Sequence, residues 1–269
     1  MKHIYFTFAG LYCRIEGTAK QISYIDKCYR KSPFASHVVR MAPGAASATL
    51  HIQIVPQFKN DIDRFELKSN PERMDFTLQC TENVFFLFPI VEQVLRKIYY
   101  ILFFKQEGFI LHASAIVQNG KAYLFFGRSG AGKSTTVRLL KQEDPQIDII
   151  ADNNVFVRRQ RDGFVVFPPA FLEWNLAGEM TYRHEKYPIH ALFLLRRSPH
   201  HRIQKTSLVQ EYGACYSQIQ IPERSLSASE IARSKTNIFR FVASIHRHGL
   251  TGFLSVDLSK NIRSLLFKK

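Results

Sequence analysis

A glycine-rich stretch limits the possible folds of this chain more than any other feature. Gly127 is followed, after four intervening residues, by Gly132-Lys133-Ser134, which is the Walker A spacing. An apolar, strand-like run precedes it at 122–126, and a helical pattern begins near Lys133. A strand that passes through such a loop into a helix presents backbone N–H groups and a helix N-terminus to an anion. The sequence therefore predicts a nucleoside triphosphate site, and we expect the nucleotide to be ATP.

Different residues of the loop are expected to bind different parts of the nucleotide and its metal ion. Glycines leave the phosphate-facing N–H groups unobstructed and accept positive φ. The Lys133 side chain would reach the β- and γ-phosphates, and the Ser134 hydroxyl would hold Mg²⁺. The predicted nucleotide-binding residues are Gly127, Ser129, Gly130, Ala131, Gly132, Lys133, Ser134 and Thr135.

Composition and charge narrow the class of protein but not its partner. Of the 269 residues, 46% are hydrophobic and 22% are charged, which is typical of globular proteins rather than disordered ones. The formal net charge of +15 attracts polyanions, whether a nucleotide, an acidic partner, a nucleic acid or a membrane surface. A solvated basic face would give the same charge, so the charge does not choose among these.

Other features favour a cytoplasmic protein. The four cysteines form no Cys-x-x-Cys pair and have no histidine at ligand spacing, so neither a zinc site nor a disulfide framework is indicated. The most apolar window, 84–104, contains Glu92, Arg96 and Lys97, which is too much charge for a membrane span. The N-terminal residues 2–10 lack a small-x-small cleavage site. We therefore expect neither secretion nor membrane insertion.

Residues 1–88 are expected to form a small strand-rich N-terminal domain. Short strand patterns are separated by the Ala9-Gly10 turn and by polar linkers at 56–63 and 69–73. The strand patterns span 5–8, 11–15, 48–55 and 74–78. The apolar spacing over 89–106 predicts a helix that Gly108 terminates, so 89–108 is expected to be a connecting helix between the two domains.

The second domain, 109–269, holds the glycine-rich loop in an unusual setting. Asn119-Gly120 is a strong two-residue hairpin turn between the strand patterns 109–117 and 122–126. The strand before the loop is thus antiparallel to its predecessor, unlike the corresponding strand of doubly wound folds.

A helix is predicted over 133–140, directly after the loop, and further strands follow it. An apolar run at 147–152 ends in Asp152, as a Walker B strand would, and a hairpin is predicted around Asp162-Gly163. The sequence therefore predicts an α/β (α+β) fold with a mixed, largely antiparallel sheet. Later elements are expected at 191–195 (strand), 227–246 (helix), 250–256 (strand) and 261–267 (helix).

Several of these stretches resemble the HPr serine kinase/phosphorylase group, which shares its P-loop core with ATP-dependent phosphoenolpyruvate carboxykinase. They are Leu111-His112-Ala113-Ser114-Ala115-Ile116, the Asn119-Gly120 hairpin, the glycine-rich loop and the strand end Ala151-Asp152. The likeness extends from about residue 95 to the C-terminus. It is greatest to short HPr-kinase-like proteins, among them kinases that phosphorylate a serine of lasso-peptide precursors.

The resemblance implies roles for individual residues. His112, on the strand beside the loop, matches the active-site histidine of these kinases, although a histidine satisfied in the core would look the same. Asp152 matches the first of two adjacent acids in these kinases. Its carboxylate would ligate Mg²⁺ together with Ser134, or it would orient the attacking hydroxyl. The second acid is replaced by Asn153, whose amide cannot accept the serine proton.

Three explanations of Asn153 stay open at this point. Asp152 or His112 serves as the base instead, the protein binds nucleotide without turnover, or the sequence carries an inactivating substitution.

Two regions further along the chain could contribute to the site. The loop 167–174 is a candidate substrate-facing segment, in which Glu173, or Glu179 beyond it, would supply a second acid or be merely a surface acid.

A basic cluster follows the strand pattern at 191–195. It comprises Arg196, Arg197, His200, His201, Arg202 and Lys205. Three interpretations stay open: the cluster binds nucleotide phosphates of a neighbouring subunit, it binds a phosphorylated or acidic substrate, or it forms a solvated loop.

Together these observations predict a cytoplasmic, Mg-ATP-dependent protein or peptide serine kinase, a phosphotransferase of HPr-kinase-like type. Its catalytic residues would be Asp152, His112 and Lys133, with Asn153 at the position of the missing acid. The expected partner is a peptide or small protein with an acceptor serine, a lasso-peptide precursor being one candidate. A homo-oligomer stays open, and nucleic acid is not expected. The alternatives are a catalytically impaired nucleotide-binding regulatory module and HPr kinase proper; the conserved loop after the Walker B strand of the bifunctional HPr enzymes is missing here.

Overall fold

Two mixed β-sheets, each with its own helices, make up the structure, a computed structural model. It describes residues 1–40, 44–54, 65–80, 87–171, 178–181, 185–247, 251–258 and 261–267. The predicted α/β (α+β) class and the strand-rich N-terminal region are confirmed. The chain divides into a first unit, Met1–Lys105 with Pro222–Ser227, and a second unit, Gln106–Ile221 with Ala228–Lys269. Whether 1–88 and 109–269 fold as independent domains stays a prediction.

The first unit contains a sheet of six strands within the described ranges. They are β1 (Lys2–Phe8), β2 (Leu11–Gly17), β3 (Val38–Val39), β4 (Ala48–Ile54), β5 (Phe65–Asn70) and β6 (Asp75–Cys80), in the spatial order β3-β1-β2-β4-β6-β5. The β2–β4 and β4–β6 pairs are parallel. The predicted turn at Ala9-Gly10 is confirmed, with positive φ angles of 54° and 74°.

In the described part of the first unit, two α-helices accompany the sheet, α1 (Ala19–Arg30) and α2 (Leu87–Lys105). The sequence analysis did not predict α1, although Thr18 and Gln21 form a capping box at its start. Helix α2 is predicted correctly, and its Tyr99 hydroxyl donates a hydrogen bond to the Phe6 carbonyl at 2.7 Å. The helix ends at Lys105, one residue before the predicted Gln106, and Gly108, which was predicted to terminate it, is the first residue of the next strand.

One predicted linker of the first unit is also wrong, and the other is not described. Residues 69–70, expected in a polar linker, belong to β5. This strand lies at the sheet edge with mostly exposed side chains, so its sequence lacks a clear apolar alternation. The linker predicted at 56–63 lies outside the described residues, as does the end of the strand predicted to reach residue 55.

The second unit contains a larger sheet, with nine strands in the part of the chain that is described. They are β7 (Gly108–Leu111), β8 (Ala113–Gln118), β9 (Lys121–Phe126), β10 (Asp148–Asp152), β11 (Val155–Gln160), β12 (Gly163–Phe167), β13 (Tyr187–Arg197), β14 (Arg202–Gln204) and β15 (Thr251–Val256). The main path is β10-β8-β9-β13-β12-β11-β7, with β15 beside β13 and β14 beside β15. Strand β13 is parallel to β9 and β15, and the other pairs are antiparallel. The predicted mixed, largely antiparallel sheet is confirmed.

Local turn signals of the second unit are confirmed as well. Asn119 and Gly120 both have positive φ, 51° and 71°, and join β8 to β9 in register. Strands β11 and β12 form the hairpin expected around Asp162-Gly163. The strand predicted over 109–117 is wrong in one respect, because it breaks at His112. Strand β7 pairs with β11 whereas β8 pairs with β9 and β10, so the chain bends between the two sets of partners.

Four helices of the second unit are α3 (Lys133–Glu143), α4 (Leu208–Tyr216), α5 (Ala228–Arg247) and α6 (Arg263–Leu266). The sequence analysis did not predict α4, which begins with a capping box between Ser207 and Gln210. Helix α3 packs on β8 and β10. Its Val137 and Leu140 join Phe125 in a buried hydrophobic cluster, which fixes the start of α3 against the sheet. Among the described helices, none is long and apolar enough to cross a bilayer.

A substitution at Gly252, in β15, tests the packing of this sheet. Gly252 has a φ of +149°, and a Cβ there would lie 2.5 Å from the Gln204 carbonyl oxygen. We expect Gly252→Ala to lower the free energy of unfolding by about 1–3 kcal/mol and to reduce the thermal midpoint by several degrees.

The matched control is Gly213→Ala in α4, where a Cβ meets no atom within 4 Å. Alanine favours a helix interior, so this variant should be as stable as the parent or slightly more stable. Equal thermal midpoints for the two variants, measured by circular dichroism, would contradict the described packing of β14 on β15.

Candidate functional site

The glycine-rich loop, residues 127–132, joins β9 to α3 at the centre of the second sheet. Gly132 is the N-cap of α3 with a φ of 97°, and a Cβ there would lie 3.2 Å from Leu258 Cδ1. Glycine suits this position because other residues rarely adopt that φ. The first N–H groups of α3 have no partner within the helix, so the loop can direct them at an anion.

Lys133, the first residue of α3, lies over the loop rather than in solvent. Its side chain is 8% exposed, and its Nζ donates to the carbonyl oxygens of Gly127 at 2.9 Å and Arg128 at 3.3 Å. Burial lowers the pKa of Lys133, and the nearby Asp152 charge partly opposes that shift. The ammonium is therefore a positive charge fixed inside the loop.

Asp152, at the end of β10, is the buried acid of the site. Its carboxylate is 2% exposed and accepts from the Ser134 hydroxyl at 2.9 Å (Oδ1) and 3.0 Å (Oδ2). The Ser114 hydroxyl also donates to Oδ1, since Asp152 and Ser114 are paired across β10 and β8. The structure thus brings together Ser134 and Asp152, the two residues predicted to bind metal.

Ser114 is a site residue that the sequence analysis did not assign. It is fully buried in a strand that is otherwise apolar from Ala113 to Val117. A hydroxyl in such a strand needs a hydrogen-bond partner, and that mismatch was the available signal.

His112 lies at the bend between β7 and β8 and is half-buried. Its backbone N–H donates to the Gln218 carbonyl at 2.9 Å. Burial is the main cause that lowers the pKa of its imidazole, and the Lys133 charge adds to it. A hydrogen bond with the Asn153 backbone and the Asp152 charge act in the opposite direction. The imidazole is therefore mostly neutral at pH 7, and it lies close to Lys133, Asp152 and Asn153.

Asn153 follows Asp152 directly and is exposed. Its φ of 81° is in the left-handed region, which asparagine and aspartate adopt more readily than most residues. The side-chain type is therefore compatible with a tight turn at the end of β10, and a carboxylate would fit the same backbone.

These groups line one open cleft of about 240 Å³. The lining residues are His112, Ser129, Gly130, Gly132, Lys133, Ser134, Thr135, Asp152, Asn153 and Arg197. Two of the predicted nucleotide-binding residues, Gly127 and Ala131, do not line it. Gly127 contributes its carbonyl to Lys133, and the Ala131 N–H donates to the Arg128 carbonyl at 3.1 Å. Arg197, from the end of β13, belongs to the cleft although the sequence analysis placed it only in a basic cluster.

The other candidate acids and the candidate substrate loop lie elsewhere or outside the described residues. The exposed Glu179 forms an ion pair with Arg138 at 2.7 Å and does not line the cleft. Glu173 lies outside the described residues, as do the last residues of the predicted loop 167–174. The described part of that loop, 167–171, is buried, so the expectation that it faces a substrate is wrong there.

The basic cluster is divided by the fold. Arg196, Arg197 and Lys205 line a second, larger cleft, which also includes Arg128 and is called the basic cleft below. His200, His201 and Arg202 do not line it. The Nδ1 of His201 accepts instead from the Asp257 backbone N–H at 3.2 Å.

The donor set suits a metal that is bound together with a nucleotide. Across the described ranges, no three His, Cys, Asp or Glu side chains meet as a metal-binding group. Mg²⁺ usually takes one or two carboxylates together with phosphate oxygens and waters. Asp152 and Ser134 fit that pattern, and Zn²⁺, which prefers several nitrogen or sulfur ligands, does not fit.

The fold and site define a mixed α/β protein in which a strand, a glycine-rich loop and a helix form one wall of a polar cleft. The chain belongs to the ScmC family: the family model for SynChlorMet cassette protein ScmC matches residues 78–261, about two thirds of the chain. The solved structure of the Hpr(Ser) kinase/phosphatase from Coxiella burnetii is similar to part of it. That match has 13% identity and a TM-score of 0.27, and covers 35% of this chain and 76% of that chain. A comparison with curated proteins finds no match.

The lowered pKa of His112 predicts a pH dependence of stability. In the unfolded chain this histidine takes up a proton near its ordinary pKa of 6.5, whereas the folded chain does so only at lower pH. The unfolded state therefore binds more protons, and the free energy of unfolding falls as the pH decreases through this range. In His112→Gln that fall should be smaller between about pH 7.5 and about pH 5.

Urea unfolding of both proteins across this range measures the difference. His200→Gln is the matched control, because it removes an exposed histidine that lies outside the cleft, and it should keep the pH dependence of the parent. The same pH dependence in His112→Gln and the parent would show that the fold does not resist protonation of His112.

Proposed function

We propose that this chain is a Mg-ATP-dependent serine kinase of HPr-kinase-like type that acts on a peptide or small protein. One observation carries the proposal: a buried carboxylate, a buried ammonium and a serine hydroxyl converge at the N-terminus of α3. Asp152 and Ser134 are hydrogen-bonded there, beside Lys133. Phosphoryl transfer depends mostly on positioning and charge, and this arrangement supplies both.

The nucleotide would be held mainly by the loop. From Ser129 to Lys133 the backbone N–H groups, apart from that of Ala131, which donates to the Arg128 carbonyl, would bind the phosphates together with the dipole of α3. Lys133 would exchange its bonds with the loop carbonyls for the β- and γ-phosphates, and Ser134 and Asp152 would hold the magnesium. When bound, that ion neutralises charge on the phosphate oxygens.

The acceptor proton needs a base other than Asn153. Asp152 is buried and already accepts from Ser134 and Ser114. His112 is half-buried, lines the same cleft and has a lowered pKa, so it is neutral at pH 7 and able to accept a proton. We therefore assign the base to His112, with Asp152 as the residue that holds the metal. Loss of a base typically costs about 10²–10⁴ in rate, so weak turnover without one is also consistent with a kinase.

A nucleotide-binding regulatory module without turnover is the second candidate. The observation in its favour is Asn153, which stands exposed at the cleft where the related kinases carry an acid. The finer form of the main proposal, a lasso-peptide precursor as acceptor, is supported by the sequence resemblance alone. A cytoplasmic location, where ATP is available, belongs to the same proposal.

Turnover assays separate the two candidates. We would incubate the full chain with Mg-ATP and a panel of serine-bearing peptides and HPr, and measure ADP release together with the intact mass of each acceptor. We expect peptide-dependent turnover that falls at least about 100-fold in Lys133→Ala, since Lys133 stabilises the transferring phosphoryl group. The matched control is Lys141→Ala, on the same helix but outside the cleft, where the Lys141 Nζ donates to the Pro145 carbonyl at 2.8 Å.

The variant Asn153→Asp decides what the missing acid means. Turnover by the parent that rises less than about tenfold in Asn153→Asp would support His112 as the base. Turnover that appears only in Asn153→Asp, while the parent binds ATP, would favour the regulatory module. Turnover that survives Lys133→Ala unchanged would contradict the proposed site.

A further inference from the structure

The basic cleft adjoins the proposed phosphate site within the second unit. It has a volume of about 990 Å³, against about 240 Å³ for the first cleft. The two clefts share Ser129, Gly130 and Arg197. A ligand in the basic cleft would therefore lie next to the residues that are proposed to hold the γ-phosphate.

The charge of the basic cleft is positive and not neutralised within the described ranges. Arg128, Arg196, Arg197 and Lys205 line it, and no aspartate or glutamate does. No described carboxylate forms an ion pair with any of these four side chains. A concave surface lined by one sign of charge raises the local concentration of an oppositely charged ligand. The ligand that fits this cleft is anionic.

One of these cations is fixed in position. The Arg196 guanidinium carbon lies 3.6 Å from the centre of the Phe253 ring, a stacking contact that orients its planar fork. A fixed guanidinium suits a carboxylate, which it can bind through two parallel hydrogen bonds. Gln204 adds a neutral amide that can bind a peptide backbone. Gln210 and Gln218 also line the cleft, although the Gln210 amide oxygen already accepts from the Ser207 N–H and the Gln218 amide nitrogen donates to the Ser217 hydroxyl.

We propose that the basic cleft binds an acidic segment of the acceptor polypeptide, with Arg196, Arg197 and Lys205 on its carboxylates. This assignment deepens the proposed kinase function and rests on it for the reaction, because the bound segment would hold the acceptor serine at the first cleft. The volume accommodates several side chains, which exceeds what an isolated phosphate needs. A nucleic acid suits the cleft less well, since Phe253, the aromatic residue of its lining, is covered by Arg196 and is not free to stack on bases.

A pair of matched peptides tests the proposal on the full chain. One is a fluorescein-labelled serine peptide flanked by Glu and Asp, and the other is its Gln and Asn counterpart. By fluorescence anisotropy, we expect the acidic peptide to bind at least about tenfold more tightly than the neutral one. Arg196→Gln and Lys205→Gln should each weaken binding of the acidic peptide about threefold to tenfold.

Arg161→Gln provides the matched control, because it removes the same charge from an exposed position in the β11–β12 turn, outside both clefts. It should bind the acidic peptide as the parent does. If Arg196→Gln disturbs folding through Phe253, Lys205→Gln carries the test alone. Equal affinity for the two peptides, or an equal loss in Arg161→Gln, would overturn the proposal.

Two competition measurements exclude the other occupants. Saturating Mg-ATP should leave the acidic peptide bound, and displacement by ATP would overturn the proposal by making the cleft part of the nucleotide site. A single-stranded oligonucleotide that binds as tightly as the peptide, with the same losses in Arg196→Gln and Lys205→Gln, would also overturn it.

A fluorescent ATP analogue, measured on the same proteins, separates the two proposals. Retained nucleotide binding with no preference for the acidic peptide would remove only the cleft assignment. A clear preference for the acidic peptide without nucleotide binding would support the cleft as an acidic-peptide site and remove the proposed kinase function.

Discussion

The hydrogen bonds from the Ser134 hydroxyl to the Asp152 carboxylate tie the first turn of α3 to the end of β10. The rest of the second unit makes this contact possible. The β8–β9 hairpin places the glycine-rich loop one strand away from β10, and the buried cluster under α3 fixes the angle of the helix. Ser114 supplies a second hydroxyl to the same buried acid. A carboxylate with little access to water is stable only with such partners, so the sheet order and the polar contacts depend on each other.

Residues with a local structural effect predicted much of this site. The pairing of strands that are far apart in the sequence could not be predicted from it. The Asn119-Gly120 turn, the loop glycines and the acid at the end of an apolar run each have a local physical cause, and the structure confirms the elements that they indicate. The bend at His112 depends on which strands β7 and β8 pair with, and the parallel placement of β13 joins residues far apart in sequence. Helices α1 and α4 did have a local signal in the sequence, since each begins with a capping box. Edge strand β5 carried little, because its side chains are mostly exposed.

Electrostatics connect the two clefts of the second unit. Lys133 and the burial of His112 keep that imidazole neutral, which suits a proton acceptor, while Asp152 is occupied by two hydroxyl donors. Arg197 lines both clefts, so under the two proposals it would contact both the transferring phosphoryl group and the bound acidic segment. Positive charge concentrated on one side of the loop offers a physical reason for part of the net charge of +15. Under the proposed kinase function, the lack of an acid at Asn153 would be less damaging, since charge and position dominate phosphoryl transfer.

Under the proposed function, Asp152 and Ser134 hold a magnesium–nucleotide complex at the start of α3. The most direct measurement is the equilibrium affinity of the parent and of Asp152→Asn for a fluorescent ATP analogue, with magnesium and with a chelator. We expect magnesium to tighten binding to the parent by about tenfold or more, and Asp152→Asn to lose most of that gain while it keeps the metal-independent affinity from the loop and Lys133. The same affinity with and without magnesium in the parent, or the same gain in Asp152→Asn, would contradict the account.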